Sequence, residues 1–260
     1  PPEDIAKYRG KYDKGWDAMR KARYKRQLEM GLIDKNWKMS PRDARAPKWE
    51  DAPNKEWDIR NMEVYAAMVD RLDQGVGRIV SALKGTKKLD DTLVLFLADN
   101  GGCAEGMGRR GGIQYRDKEP DALKPMDKDA LQLDMIPRRT RDGRVVKQGT
   151  EVMTGGPDTY HGYGLSWANA SNTPFREYKH WVHEGGISTP LVVHWPAGMK
   201  ARGELRSEPG HLIDIMATCV AVSGAKYPVA HEGRQIKPLE GVSLLPAFAG
   251  KSLGSRAVFW

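Results

Sequence analysis

Residues 92–98 (TLVLFLA) run apolar without alternation and then stop at Asp99-Asn100-Gly101-Gly102. A strand with one face on a core alternates apolar and polar residues. An unbroken Val/Leu/Phe run instead suits a strand covered on both faces, as in a parallel sheet between helices. In open α/β sheets the ligand crevice lies beyond the carboxyl ends of the strands, where Asp99 and Asn100 fall. A carboxylate beside a side-chain amide offers two hard oxygen donors, suited to Ca²⁺ or Mg²⁺. The same tetrapeptide also reads as an ordinary turn, since Asp, Asn and Gly commonly follow strands.

The flanking sequence supports an α/β arrangement. Met62, Tyr65, Val69, Leu72, Val76, Ile79, Val80 and Leu83 recur at intervals of three and four, one apolar stripe along a helix that Gly85 ends. That helix delivers the chain through a short turn into the 92–98 strand, one unit of a sheet covered by helices. Upstream, residues 12–33 read as a helix carrying Trp16, Met19 and Leu28. Residues 35–54 form a connector in which Pro41, Pro47 and Pro53 stop regular structure and Trp37 and Trp49 anchor it. Downstream, 191–195 reads as a second strand stopped at Pro196, and 212–222 as a helix closed by Gly224.

A second motif stands between these elements. Residues 179–190 (KHWVHEGGISTP) place five residues between Lys179 and Gly185-Gly186 and lead into the strand LVVHW. Together with FLADNGG this string resembles the sulfatase family of the alkaline-phosphatase superfamily, its arylsulfatase-like branch in particular. Residues 8–33, 62–80, 167–176 (WANASNTPFR) and 239–245 (LEGVSLL) resemble stretches of that family in the same order.

The resemblance implies an alkaline-phosphatase-like α/β fold, with a mixed, mostly parallel sheet flanked by helices and incomplete here. It implies that residues 1–260 are part of one catalytic domain, and that Asp99 and Asn100 are late ligands of Ca²⁺, with Mg²⁺ as an alternative. It implies that Lys179 contacts the sulfate. A Lys ammonium is a compact charge with three donors, suited to an oxyanion without fixed geometry. Glu184 would hold its loop, and Gly185-Gly186 would allow close backbone approach or positive φ.

Several family features have no match in this sequence. Sulfatases carry an early Cys/Ser-x-Pro-x-Arg motif whose first residue becomes formylglycine, and neither Cys103 nor Cys219 begins that pattern. Ser207-Glu208-Pro209-Gly210-His211 is the nearest miss, without the Arg and late in the chain. The family's early acidic ligands and a His-x-Pro segment are also unmatched. With Pro1 at the start and Val258-Phe259-Trp260 at the end, the sequence is expected to be the interior of a longer protein, inactive alone. Formylglycine and the small C-terminal subdomain are expected outside it.

Between the two motifs, residues 103–160 are polar and rich in Gly, Lys and Arg, which reads as an insertion at the mouth of the site that shapes substrate choice. The implied substrate is a sulfated small molecule or a sulfated polysaccharide. Rival readings are a phosphodiesterase or phosphonate monoester hydrolase of the same superfamily, or an inactive polyanion-binding relative.

The net charge of +8 includes basic clusters at 21–26 (KARYKR) and 138–144 (RRTRDGR). These suit a solvated helix face and a loop, or attraction of polyanionic substrates. No nucleic-acid module accompanies them, so no nucleic-acid partner is expected. No apolar run approaches the roughly 20 residues of a bilayer span, so no membrane partner is expected. His180, His183 and His211 lack a zinc-type spacing, and Cys103 reads as a small buried residue, with a reactive thiol as the alternative. Periplasmic or secreted localisation follows from the resemblance alone. The sequence is silent on oligomeric state.

Overall fold

The computed structural model describes residues 1–118 and 123–259; residues 119–122, inside the expected insertion, and Trp260 lie outside them. The chain divides into two compact units, Pro1–Ile79 with Asn100–Thr189, and Val80–Asp99 with Pro190–Trp260.

In the first unit, α1 (Pro2–Ala6) is followed by α2 (Gly15–Glu29), and Lys55–Gly85 forms α3, which begins in this unit and ends in the other. Its centre is an aromatic knot. Trp16 of α2 meets Trp49 edge-on at 4.7 Å and Trp167 at 5.6 Å, and Tyr12 meets Trp167 edge-on at 5.6 Å. Such edge-to-face pairs stabilise beyond the area they bury. Each indole donor must also find an acceptor when buried. Trp16 Nε1 donates to the Pro47 carbonyl, Trp167 Nε1 to that of Asp58 and Trp57 Nε1 to that of Val152. The 35–54 connector is therefore tied to the body as expected through Trp49, while Trp37 stays half exposed, tilted against Phe175.

The described residues of the expected insertion carry a little regular structure. A short hairpin pairs β2 (Gln114–Tyr115) with β3 (Lys147–Gln148), and Val146 and Val152 are buried. The basic cluster at 138–144 is exposed but largely partnered. Arg138 pairs with Asp117 at 2.6 Å, Arg144 with Asp142 at 2.9 Å, and Arg141 donates to the Lys128 and Ala130 carbonyls. The unit closes with α4 (Gly164–Ser171), which packs Trp167, Ala168 and Ala170 against α2, and α5 (Glu184–Ile187).

In the second unit, β1 (Val94–Leu97) pairs with β4 (Leu191–His194). This pairing does not supply the expected mostly parallel sheet. The register Val94 to His194 through Leu97 to Leu191 is antiparallel, and among the described residues every sheet has two strands. Nor is the 92–98 run buried on both faces: Phe96 is 47% exposed, and Val192 opposite it on β4 is 59% exposed. A continuous apolar run reports hydrophobic character, but strand direction depends on the partner strand, which lies elsewhere in the chain. The α3 stripe divides in the same way: Met62 is buried, whereas Val69, Leu72 and Ile79 are exposed.

The helix read at 212–222 is α6 (Ile213–Ser223), and Gly224 ends it at φ +67°, a left-handed cap that glycine adopts without strain. Its first turn carries Asp214, fully buried, which accepts from the His211 and Val242 backbone amides and from Arg256. A hairpin of β5 (Ala230–His231) and β6 (Arg234–Gln235) and a last short helix, α7 (Leu245–Phe248), complete the unit. No helix among the described residues is long and apolar enough to cross a membrane.

Candidate active site

Asp99 and Asn100 lie in the bend just past the end of β1, as the sequence implied. Asp99 is exposed and closes a segment of the second unit, while Asn100 is half-buried and opens a segment of the first. The Asn100 side-chain amide donates to the Gly101 carbonyl at 2.8 Å, which leaves its Oδ1 as the donor atom for a cation. The pair thus fits a hard cation in donor chemistry and would supply two of the six to eight oxygens that Ca²⁺ takes. Among the described residues no group of three His, Cys, Asp or Glu side chains could hold a metal.

The segment that follows is joined to the Lys179 loop by a continuous set of backbone bonds. The Gly101 N–H donates to the Gly186 carbonyl at 2.9 Å, and the Lys179 N–H donates to the Gly102 carbonyl at 3.1 Å. Asn172, at the end of α4, holds three strands of this weave at once. Its Oδ1 accepts from the Gly102 amide, and its Nδ2 donates to the Glu177 and Gly185 carbonyls, each at 2.8 Å. The two expected motifs therefore meet through Gly101, Gly102, Gly185 and Gly186.

Close approach explains these glycines. A Cβ on Gly101 would sit 1.7 Å from the Gly185 carbonyl oxygen, one on Gly185 2.2 Å from that of Glu177, and one on Gly186 2.0 Å from that of Trp181. Of the two roles expected for Gly185-Gly186, the structure selects close approach. Positive φ falls instead on Glu177 (+65°) and His180 (+77°), two non-glycine residues either side of Lys179. Such conformations cost free energy and persist only where surrounding contacts enforce them. Tyr178 is one such contact: it is buried, and its hydroxyl donates to Asp43 Oδ2 at 2.8 Å. That anchors the chain immediately before Lys179.

The Lys179 side chain points to a residue that the sequence did not single out. Its Nζ donates to Glu105 Oε1 at 2.9 Å, and His180 Nε2 lies 3.2 Å from the same oxygen. The bond from Lys179, then that from His180, holds the Glu105 carboxyl down at about 2. The same bond raises the Lys179 ammonium, which therefore stays charged. Both side chains are partly open to solvent, at 27% for Lys179 and 43% for Glu105. Of the other histidines considered, His183 lies 3.3 Å from the Arg176 guanidinium and stacks near Trp181, while the His211 amide caps Asp214. Cys103 and Cys219 are free thiols. Glu105 and Asn172 escape sequence reading because their partners are distant along the chain, 70 residues for Asn172 and Gly102.

Comparison with known proteins agrees with the motifs. The family model described as Sulfatase matches residues 1–225. An uncharacterised sulfatase of Schizosaccharomyces pombe is 33% identical over 231 residues, 88% of this chain and 37% of that protein. An arylsulfatase of Klebsiella aerogenes is 26% identical, covering 99% of this chain and 50% of its own length. The chain thus spans half or less of these relatives. Among solved structures, Ps i-CgsB in complex with a neocarrahexaose has a TM-score of 0.42 and 21% identity, covering 90% of this chain and 38% of that one.

Proposed function

The chain belongs to the sulfatase family, and from that premise we propose that it is part of the catalytic domain of a sulfuric ester hydrolase. The full-length protein would split sulfate monoesters into an alcohol or phenol and sulfate. The observation that carries this reading is the clamp of the Asp99-Asn100-Gly101-Gly102 bend onto the Lys179 loop. It holds the backbone that carries Lys179 against Gly101 and Gly102, the residues that directly follow Asp99 and Asn100 in sequence.

Sulfate ester hydrolysis needs a nucleophile, stabilisation of charge on the non-bridging oxygens, and an acid for the leaving oxygen. This chain's residues serve the second requirement. The Lys179 ammonium donates to a non-bridging sulfate oxygen, and the backbone bonds on either side fix its approach. Pre-organised donors of this kind are worth most because they need not rearrange as charge develops. Asp99 and Asn100 are the residues that would hold the cation, Ca²⁺ in this proposal. When bound, it supplies Lewis acidity toward the sulfate group. The nucleophile, formylglycine in this proposal, and the acid belong to other parts of the protein. The substrate is a sulfated small molecule or a sulfated polysaccharide.

The test is sulfate release by the full-length protein from an aryl sulfate and from a sulfated oligosaccharide, beside a phosphate diester. Turnover of either sulfate ester in preference to the diester is the expected result. Preference for the diester would overturn the reading.

A further inference from the structure

The ammonium assigned to the sulfate already has an anionic neighbour. Glu105 Oε1 lies 2.9 Å from Lys179 Nζ and 3.2 Å from His180 Nε2, and Cys103 is the remaining titratable group facing this carboxylate. The Lys179 pair contributes little to stability, because solvent screens a partly exposed pair of this kind. Its consequence is electrostatic. An anion that reaches Lys179 also comes within a few ångströms of Glu105, so the positive charge that attracts it is largely offset.

Sulfate and phosphate monoesters differ in the property that such an arrangement senses. A sulfate monoester carries one negative charge, whereas a phosphate monoester carries nearly two at neutral pH, its second ionisation falling near pH 6. Repulsion from a fixed carboxylate is twice as large for the dianion. Resting on the assignment of Lys179 to the sulfate, we propose that Glu105 is a specificity-determining residue. Paired with Lys179, its carboxylate admits a singly charged sulfuryl group and disfavours a doubly charged phosphoryl group. The carboxyl held at about 2 keeps this charge in place throughout the working range.

A mere orienting role for Glu105 predicts something different. Gln is nearly isosteric and still offers an oxygen to the Lys179 ammonium, so Glu105→Gln removes the charge while keeping an acceptor. The experiment uses the full-length protein and measures inhibition of aryl sulfate hydrolysis by inorganic phosphate. It is run at about pH 5, where phosphate is mostly singly charged, and at about pH 8, where it is mostly doubly charged. Lys179, His180 and Cys103 remain in both proteins, so each variant is compared with its parent at the same pH.

In Glu105→Gln, phosphate should inhibit about five- to tenfold more tightly at the higher pH and about two- to threefold more tightly at the lower. Glu105→Asp, which keeps the charge, should restore most of the discrimination. Lys179→Gln, run beside them, should weaken both sulfate ester turnover and phosphate inhibition. If Lys179→Gln does so but Glu105→Gln shows no pH-dependent gain, the role of Glu105 is overturned and that of Lys179 stands. If Lys179→Gln alters neither quantity, the underlying assignment fails and this proposal fails with it.

Discussion

At the scale of single residues, steric room at the glycines controls the site more tightly than any charge does. Gly101 has no space for a side chain, since its Cβ would lie 1.7 Å from a backbone oxygen that cannot rotate away. Gly101→Ala in the full-length protein should therefore push the two loops apart. The expected loss is about 1–3 kcal/mol, the range of overpacking in a tight site, with a lower midpoint of thermal unfolding and reduced sulfate ester turnover. An unchanged midpoint and turnover would show that the loops are not clamped as described. Asp99, Asn100, Lys179 and the glycine pair were legible in the sequence because each motif is contiguous. Glu105 and Asn172 were not, because each acts by meeting a segment far along the chain: the His180–Glu105 contact spans 75 residues. A glutamate within a polar, glycine-rich stretch carries no local mark of such a partner.

At the scale of elements, periodicity served well where a helix has its own period and failed where a contact decides. The helix at 213–223, with Gly224 as its left-handed cap, and the long helix ending at Gly85 followed from apolar spacing and from glycine at the terminus. Strand direction did not, because residues 94–97 would look the same in a parallel or an antiparallel ladder. The first turn of α6 also depends on a partner distant in sequence. Burial alone would push the Asp214 carboxyl up, but Arg256 and the Val242 and His211 amides outweigh it and hold the group below its ordinary value. A carboxyl lowered in the folded state stabilises it above the ordinary carboxylate range. That contribution drains away as acid takes the pH down through the folded-state value. Arg256→Ala leaves Asp214 buried without its cation and should cost about 3 kcal/mol. Part of the acid sensitivity should vanish with it, as read by thermal unfolding between about pH 7 and pH 3. A variant as stable as its parent across that range would contradict this account of the pair.

At the scale of the whole molecule, family membership was legible and architecture only partly so. The order of motifs along residues 8–245 pointed to the sulfatases, and the family model matches residues 1–225. The expected parallel sheet did not follow, because a sheet is a property of strands brought together. The described residues instead form three antiparallel pairs. Whether the two motifs act on one sulfate group is decided by steady-state kinetics of Lys179→Ala beside Asp99→Ala in the full-length protein. The account predicts that Lys179→Ala lowers kcat/KM for a sulfate ester about 100-fold or more, with little change in the midpoint of thermal unfolding. Asp99→Ala should raise the calcium concentration needed for half-maximal activity. Wild-type kinetics in the folded Lys179→Ala variant would contradict the account.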